Sequence, residues 1–232
     1  MIILGIETAT AQVGCALGGV EGTLAQFSST RGRRHAETLV PAIEFICRQA
    51  RIELSEVGVI AVDVGPGLFT GLRVGVATAK AMAQGLRIPM IGLSSLDLLA
   101  FPVRHSPSLV AAVIDARRGE VFCALYRPVP GGIQQVAPPR VCAPRELASE
   151  LSARGENCLL VGDGALRYAE VFDDERHVEI GGCGLAHPSA ASLVELAHPQ
   201  AIREDFVHVS QVEPLYLRKA DAEVNWERRA SA

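Results

Sequence analysis

Gly65-Pro66-Gly67-Leu68-Phe69-Thr70-Gly71 is the strongest local signal for chemistry in this chain of 232 residues. It follows a short apolar run, Gly58 to Val64, and precedes a helical pattern. A glycine turn between strand and helix gathers free N–H groups and the positive helix end at one spot, where anions bind. The same residues also suit a plain tight turn. The spacing is not a dinucleotide fingerprint, because Thr70 stands at its sixth position, and no lysine stands where a P-loop needs one. Glu7 and Asp63 each close an apolar run, so two carboxylates could serve acid–base chemistry or hold magnesium. Gly92-Leu93-Ser94-Ser95-Leu96 lacks the last glycine of a nucleophile elbow. Arg31, Arg33 and Arg34 make a basic patch, read as a solvated loop or as a contact for phosphate or RNA.

The six cysteines (Cys15, Cys47, Cys123, Cys142, Cys158, Cys183) are scattered without paired spacing, and the six histidines are equally dispersed. Neither a zinc ribbon nor a disulfide framework is expected, and no metal site. Hydrophobic residues make up 49% and charged residues 21%, which suits a globular core and excludes a disordered tail. With 22 basic against 26 acidic residues the net charge is −4, a poor basis for holding nucleic acid alone. No apolar run approaches the roughly 18 residues of a membrane span. Glu7 interrupts the opening stretch and no basic residues precede it, so no signal peptide is expected and a cytoplasmic protein is the default.

The elements that must position these groups follow from periodicity. Met1 to Ile6, then Val13-x-Cys15-x-Leu17, then Thr23-x-Ala25-x-Phe27 predict a strand meander with Glu7-Thr8-Ala9-Thr10 as its first turn. His35 to Arg51 turns helical, with Leu39, Val40, Ala42, Ile43, Ile46, Cys47 and Ala50 on one arc and Phe45 off it. Gly58 to Val64 predicts a strand buried on both faces. The next helix spans Thr70 to Gln84, with Gly85 as its stop. Only Arg73, Lys80 and Gln84 give it a polar strip, while Gly71, Gly75, Ala79 and Ala83 form a smooth ridge. Such a helix is sandwiched within its own domain or meets a partner subunit, and both readings stand. A strand at Pro89 to Leu93 and a helix at Ser95 to Ala100 precede a linker, Pro102 to Pro107. Strands Leu109 to Asp115 and Glu120 to Tyr126 follow, joined as a hairpin. A strand at Cys158 to Val161 and a helix at Pro188 to Ala197 complete a pattern of two related α/β lobes.

Ile3-Leu4-Gly5-Ile6-Glu7-Thr8-Ala9-Thr10, His35-Ala36-Glu37-Thr38-Leu39-Val40-Pro41 and the stretch Gly65 to Gly75 together resemble the bacterial TsaB (YeaZ) family. Asp115 to Phe122 and Glu213 to Arg218 match as well. The match is dense to about residue 126 and sparse beyond it; Glu7 stands where most of the family has Asp. The resemblance implies two actin-like/Hsp70-like (ASKHA) lobes, each a mixed sheet with flanking helices. They span residues 1–103, carrying a helical dimerisation surface, and 108–232, a smaller C-terminal lobe.

The family is paralogous to TsaD, the transferase that makes threonylcarbamoyladenosine next to the anticodon of tRNAs. TsaD carries two metal-binding histidines spaced four apart; at those positions this chain has Ser95 and Leu99. A hydroxyl is a poor ligand and leucine is none. The resemblance therefore implies a catalytically inactive subunit that pairs with a TsaD-like paralogue, or with itself, through the first two helices. His35, Thr38, Leu39, Ala42, Phe45, Phe69, Arg73, Val74, Ala77 and Ala81 are the expected interface. Glu7, Thr8, Gly65, Gly67, Thr70 and Gly71 are the expected contacts for a nucleotide or other anion. No cofactor is required by this chain, ATP or ADP belongs to the seam of the complex, a TsaE-like ATPase docks there, and tRNA is met only through the complex. The competing readings are an ATP-dependent ASKHA enzyme, a glycoprotease-like hydrolase, and direct tRNA binding by Arg31, Arg33 and Arg34.

Overall fold

The computed structural model describes residues 1–31, 34–173 and 176–218. Arg33, one of the three basic-patch residues, lies outside them. Two five-stranded mixed sheets form the frame. The first contains β1 (Ile2–Glu7), β2 (Val13–Gly19), β3 (Gly22–Ser29), β4 (Val57–Gly65) and β5 (Met90–Ser94), in the order β3-β2-β1-β4-β5. The second contains β6 (Leu109–Arg117), β7 (Glu120–Val129), β8 (Gly132–Cys142), β9 (Cys158–Val161) and β10 (Val178–Ile180), in the order β10-β9-β6-β7-β8. Read from the first strand of each, the two orders are the same. In both, an antiparallel meander supplies three strands and two parallel strands extend the other edge.

Helices cover the sheets crosswise. On the first sheet, α1 (His35–Ala50) and α2 (Phe69–Leu86) take one face, where Leu4, Ile6, Ile60 and Val62 meet Leu39, Ile43, Ile46 and Val76. The opposite face is covered by α7 (Ala190–Ile202), whose Leu193, Val194 and Ala197 lie on Ile3, Val59 and Ala61. The alternation of Ile3 with Leu4 and Ile6 between these two cores is the period-two pattern of a doubly buried strand. The short α3 (Ser95–Ala100), by contrast, packs Leu96, Leu99 and Ala100 against Val110, Ala112 and Ile114 of the second sheet. Each half of the chain thus lends its last helix to the other half's sheet. The first sheet ends at Ser94 and the second begins at Leu109, and α7, in the second half of the chain, packs on the first sheet.

The remaining helices, α4 (Pro144–Arg154), α5 (Asp163–Arg167) and α6 (Ala169–Phe172), flank the second sheet. Three local expectations change. Helix α2 runs through Gly85 to Leu86 and closes on Arg87 in the left-handed region, so Gly85 is not its stop. Helix α7 continues past Ala197, through Pro199, to Ile202. β8 and α4 were not anticipated: Pro138 and Pro139 break the strand pattern, and a proline pair is tolerated there because β8 is an edge strand.

Candidate functional site

The outward face of α2 is its least ordinary surface. Thr70, Arg73, Ala77, Ala81 and Gln84 point to solvent at helical spacing, with Val74 and Lys80 half-buried beside them. The inward face holds Gly71, Leu72, Gly75, Val76, Ala79 and Ala83. A Cβ on Gly67, Gly71 or Gly75 would lie 2.2, 2.1 or 2.2 Å from Ala9 O, Thr8 O or Thr8 Oγ1. The smooth ridge is therefore filled by the chain's own first turn, which is the sandwiched reading for that side of the helix. Thr8 is buried and donates its hydroxyl to the Gly71 carbonyl at 2.8 Å; the Leu68 N–H donates to Ala9 O at 2.6 Å.

This geometry changes the expected anion contacts. Gly71 packs on the Thr8 carbonyl and Gly67 on that of Ala9, and only Thr70 of the expected contacts is exposed. Beneath them, Ile6 pairs with Val62, which brings Glu7 and Asp63 onto neighbouring strand ends. Both carboxyls are wholly buried. Glu7 Oε1 accepts the Ala9 N–H at 2.8 Å, and Asp63 Oδ1 accepts the Gly65 N–H at 2.8 Å and the Ser95 hydroxyl at 2.6 Å. Among the described residues, Glu7 Oε2 and Asp63 Oδ2 have no hydrogen-bond partner. Burial first, then the neighbouring Asp63, pushes the Glu7 carboxyl well above the usual carboxylate range. Burial pushes Asp63 up to about 7 against the two hydrogen bonds that lower it. Both acids here favour the protonated form.

The ten expected interface residues separate by face. His35, Leu39 and Ala42 are buried in the lobe, His35 with its ring Nε2 3.0 Å from Thr10 O, and leave almost no surface for a partner. Leu39 and Ala42 lie on the apolar arc of α1, most of which faces the core. Thr38 is half-buried. Phe45 is 44% exposed and Phe69 37%, and Arg73, Ala77 and Ala81 are open. Arg73 lies over the Phe69 ring at 3.7 Å and donates from Nε to Tyr216 Oη at 3.2 Å; the Phe69 and Tyr216 rings are 5.1 Å apart. Leu215 donates its N–H to Val64 O at 2.6 Å, tying this C-terminal segment beside the start of α2. Val40, expected on the apolar arc, is instead exposed at the edge of that arc, and Leu215 and Tyr216 are exposed groups that periodicity did not single out. The Glu213 to Arg218 resemblance was the signal that could have raised Tyr216.

Ser95 and Leu99 are buried, the first bonded to Asp63 and the second in the core between α3 and the second sheet. Arg31 and Arg34 are exposed, and Arg34 reaches Glu37 at 3.7 Å. Between the lobes, Leu98, Leu99, Leu185, His187, Ser189 and Ser192 line a cavity of about 250 Å³.

The family model described as "TsaD: tRNA N6-adenosine threonylcarbamoyltransferase" matches residues 22–226. The chain belongs to this family. Within it, the chain resembles TsaB: it is 29% identical to the tRNA threonylcarbamoyladenosine biosynthesis protein TsaB of Bacillus subtilis over 97% of this chain and 98% of that one. YeaZ from Pseudomonas aeruginosa superposes with a TM-score of 0.82 at 28% identity, covering 93% of this chain and 99% of that one. The fold is the actin-like, ASKHA one. The (R)-2-hydroxyglutaryl-CoA dehydratase component A of Acidaminococcus fermentans shares it at a TM-score of 0.50 and 12% identity, over 88% of this chain and 99% of that one.

Proposed function

We propose that this chain is a non-catalytic subunit of tRNA threonylcarbamoyladenosine biosynthesis that binds a TsaD-like transferase and holds it in its active arrangement. The pathway rests on the TsaB relatives, which match almost end to end. The partnership rests on one observation, the outward face of α2. Ala77 and Ala81 lie open at helical spacing on the helix that begins at Phe69, Tyr216 lies against Phe69, and Phe45 is exposed on α1. Small residues let a second helix approach closely, and the aromatic rim supplies area to bury. Covering each such large side chain contributes about 1.5–3 kcal/mol before ordering costs. A TsaD-like paralogue is the occupant; a second copy of this chain takes the same face when the paralogue is absent.

The absence of catalysis in this subunit is supported by Ser95 and Leu99. These stand where the paralogue has its histidines, with the Ser95 hydroxyl engaged by Asp63 and Leu99 in the core. The chain therefore needs no cofactor of its own. ATP or ADP and a TsaE-like ATPase act at the seam with the transferase, and tRNA is reached through the complex in the cytoplasm. Among the described residues no helix is long and apolar enough to cross a membrane.

Light scattering on size-exclusion fractions tests the partnership. The chain mixed with a TsaD-type transferase is expected to elute as a heteromer, and Phe69→Glu to elute as separate subunits with unchanged circular dichroism. A heteromer that survives both Phe69→Glu and Phe45→Glu would overturn the assigned face.

A further inference from the structure

Cys123 on β7 and Cys142 on β8 lie with their sulfurs 3.5 Å apart. Val121 pairs with Cys142 and Cys123 with Arg140, so the two cysteines are diagonal neighbours on one face of the antiparallel pair. A disulfide needs sulfurs at about 2.05 Å, so they must close by roughly 1.5 Å. β8 is the edge strand of its sheet, and its register with β7 is irregular on both sides of Leu125. An edge strand held on one side only, and already out of step, can make that adjustment.

The surroundings make the two sulfurs unequal. The contact with Cys123 and the nearby Arg140 guanidinium bring the Cys142 thiol down to about 7 against the opposing effect of burial. The contact with Cys142, with burial, pushes the Cys123 thiol strongly upward. One thiolate beside one thiol is the arrangement that dithiol chemistry uses. Cys15 and Cys158 differ: burial pushes both up to about 12, which keeps them as unreactive thiols. Arg140 is held by Glu150, which Arg154 also pairs, so the guanidinium is anchored from α4.

We propose that Cys123 and Cys142 are an oxidative modification site, a dithiol that a small hydroperoxide converts to a disulfide. The Cys142 thiolate attacks one oxygen of hydrogen peroxide, forming an S–O bond as the O–O bond breaks. The departing hydroxide takes up the proton that Cys142 had released and leaves as water. Cys123 then gives up its proton and attacks the Cys142 sulfur, the S–O bond breaks, and a second water leaves. Two thiols and one peroxide become one disulfide and two waters, and a dithiol reductant reverses the change. Cys142 is 6% exposed and Cys123 1%, so the oxidant must be small; a bulky disulfide such as oxidised glutathione is excluded. The cross-link fastens the edge strand to the sheet two residues before α4 begins at Pro144.

The full chain is treated with a modest excess of hydrogen peroxide near neutral pH, then denatured, alkylated and mapped by mass spectrometry. The expected product has lost two hydrogen atoms, joins the Cys123 and Cys142 peptides, and reverts with dithiothreitol. Cys123→Ser is expected to leave a sulfenic acid at Cys142 that a dimedone-type reagent captures. The rate of the wild-type reaction should rise through a midpoint near the Cys142 value. Both cysteines still alkylatable after peroxide, oxygen added at Cys142 without a cross-link in the wild-type chain, or a disulfide to any other cysteine would each overturn the proposal. The first of these would leave the pair as a structural S–H···S contact.

Discussion

Glu7 and Asp63 sit on adjacent parallel strand ends, both wholly buried, and each keeps one carboxyl oxygen without a hydrogen-bond partner among the described residues. Asp97 adds a further carboxyl nearby, itself pushed up by burial and bonded at 2.7 Å by the Tyr126 hydroxyl. An unpaired charge in such a place is costly, and the cheaper state is a protonated acid.

Stability should therefore fall as pH rises. An unfolded aspartate ionises near 3.9, whereas Asp63 in the fold ionises at about 7. Between those values the folded chain holds a proton that the unfolded chain has lost, so stability declines through that window and levels off for this group above it. Asp63→Asn keeps an acceptor for Ser95 and Gly65 and removes the ionisation. It should raise stability relative to wild type at pH 8 by the order of a few kcal/mol, and by much less at pH 4, in urea titrations. Equal differences at the two pH values would refute the ionisation account.

Ser95→Ala removes the shortest contact to Asp63. A buried acceptor then loses one of its donors, which costs about 1–3 kcal/mol. The loss should be larger at pH 8 than at pH 5, because the hydroxyl favours the ionised carboxyl. Urea midpoints at the two values measure it.

Two glycines of α2 should respond in opposite directions. Gly71→Ala drives a Cβ to 2.1 Å from the Thr8 carbonyl, a backbone atom that cannot swing away, and should cost about 1–3 kcal/mol or more. Gly85→Ala meets nothing within 4 Å inside a helix and should stabilise by about 0.5–1 kcal/mol. Thermal melts of the two variants decide the point; a harmless Gly71→Ala would mean that the first turn does not pack on α2 as described.

The strands of the first sheet were legible because Met1 to Ile6 and Gly58 to Val64 are apolar on both faces, and position alone makes them central. Which side of α1 and α2 faces out was legible only in part. Phe45, off the apolar arc, and Ala77 and Ala81 were expected on the open side and are exposed; Leu39 and Ala42 belong to the apolar arc and are core. β8 was hidden by Gln134, Gln135, Pro138 and Pro139, residues that an edge strand tolerates and a central one does not. The crossing of α7 to the first sheet, and of Tyr216 to the side of Phe69, are long-range contacts that no local pattern encodes. The carboxyls were found as a pair, but their complete burial depends on how the two lobes' helices cover the sheet.

Charge on the open face should separate binding from folding. Ala77→Glu places a carboxylate where the account has a partner helix, on a residue already exposed, so its melting temperature should stay within a degree or two of wild type. Its affinity for a TsaD-type transferase in calorimetry should drop by tenfold or more, since an unpaired charge would be buried. Unaltered affinity would move the contact elsewhere.

The most direct measurement is threonylcarbamoyl transfer to tRNA from threonylcarbamoyl-AMP, run with this chain alone, with a TsaD-type transferase and a TsaE-type ATPase, and with all three. The account predicts product only in the full mixture, and its loss when Phe69→Glu replaces the wild-type chain. Product from this chain alone would contradict it and return attention to Glu7 and Asp63 as catalytic groups.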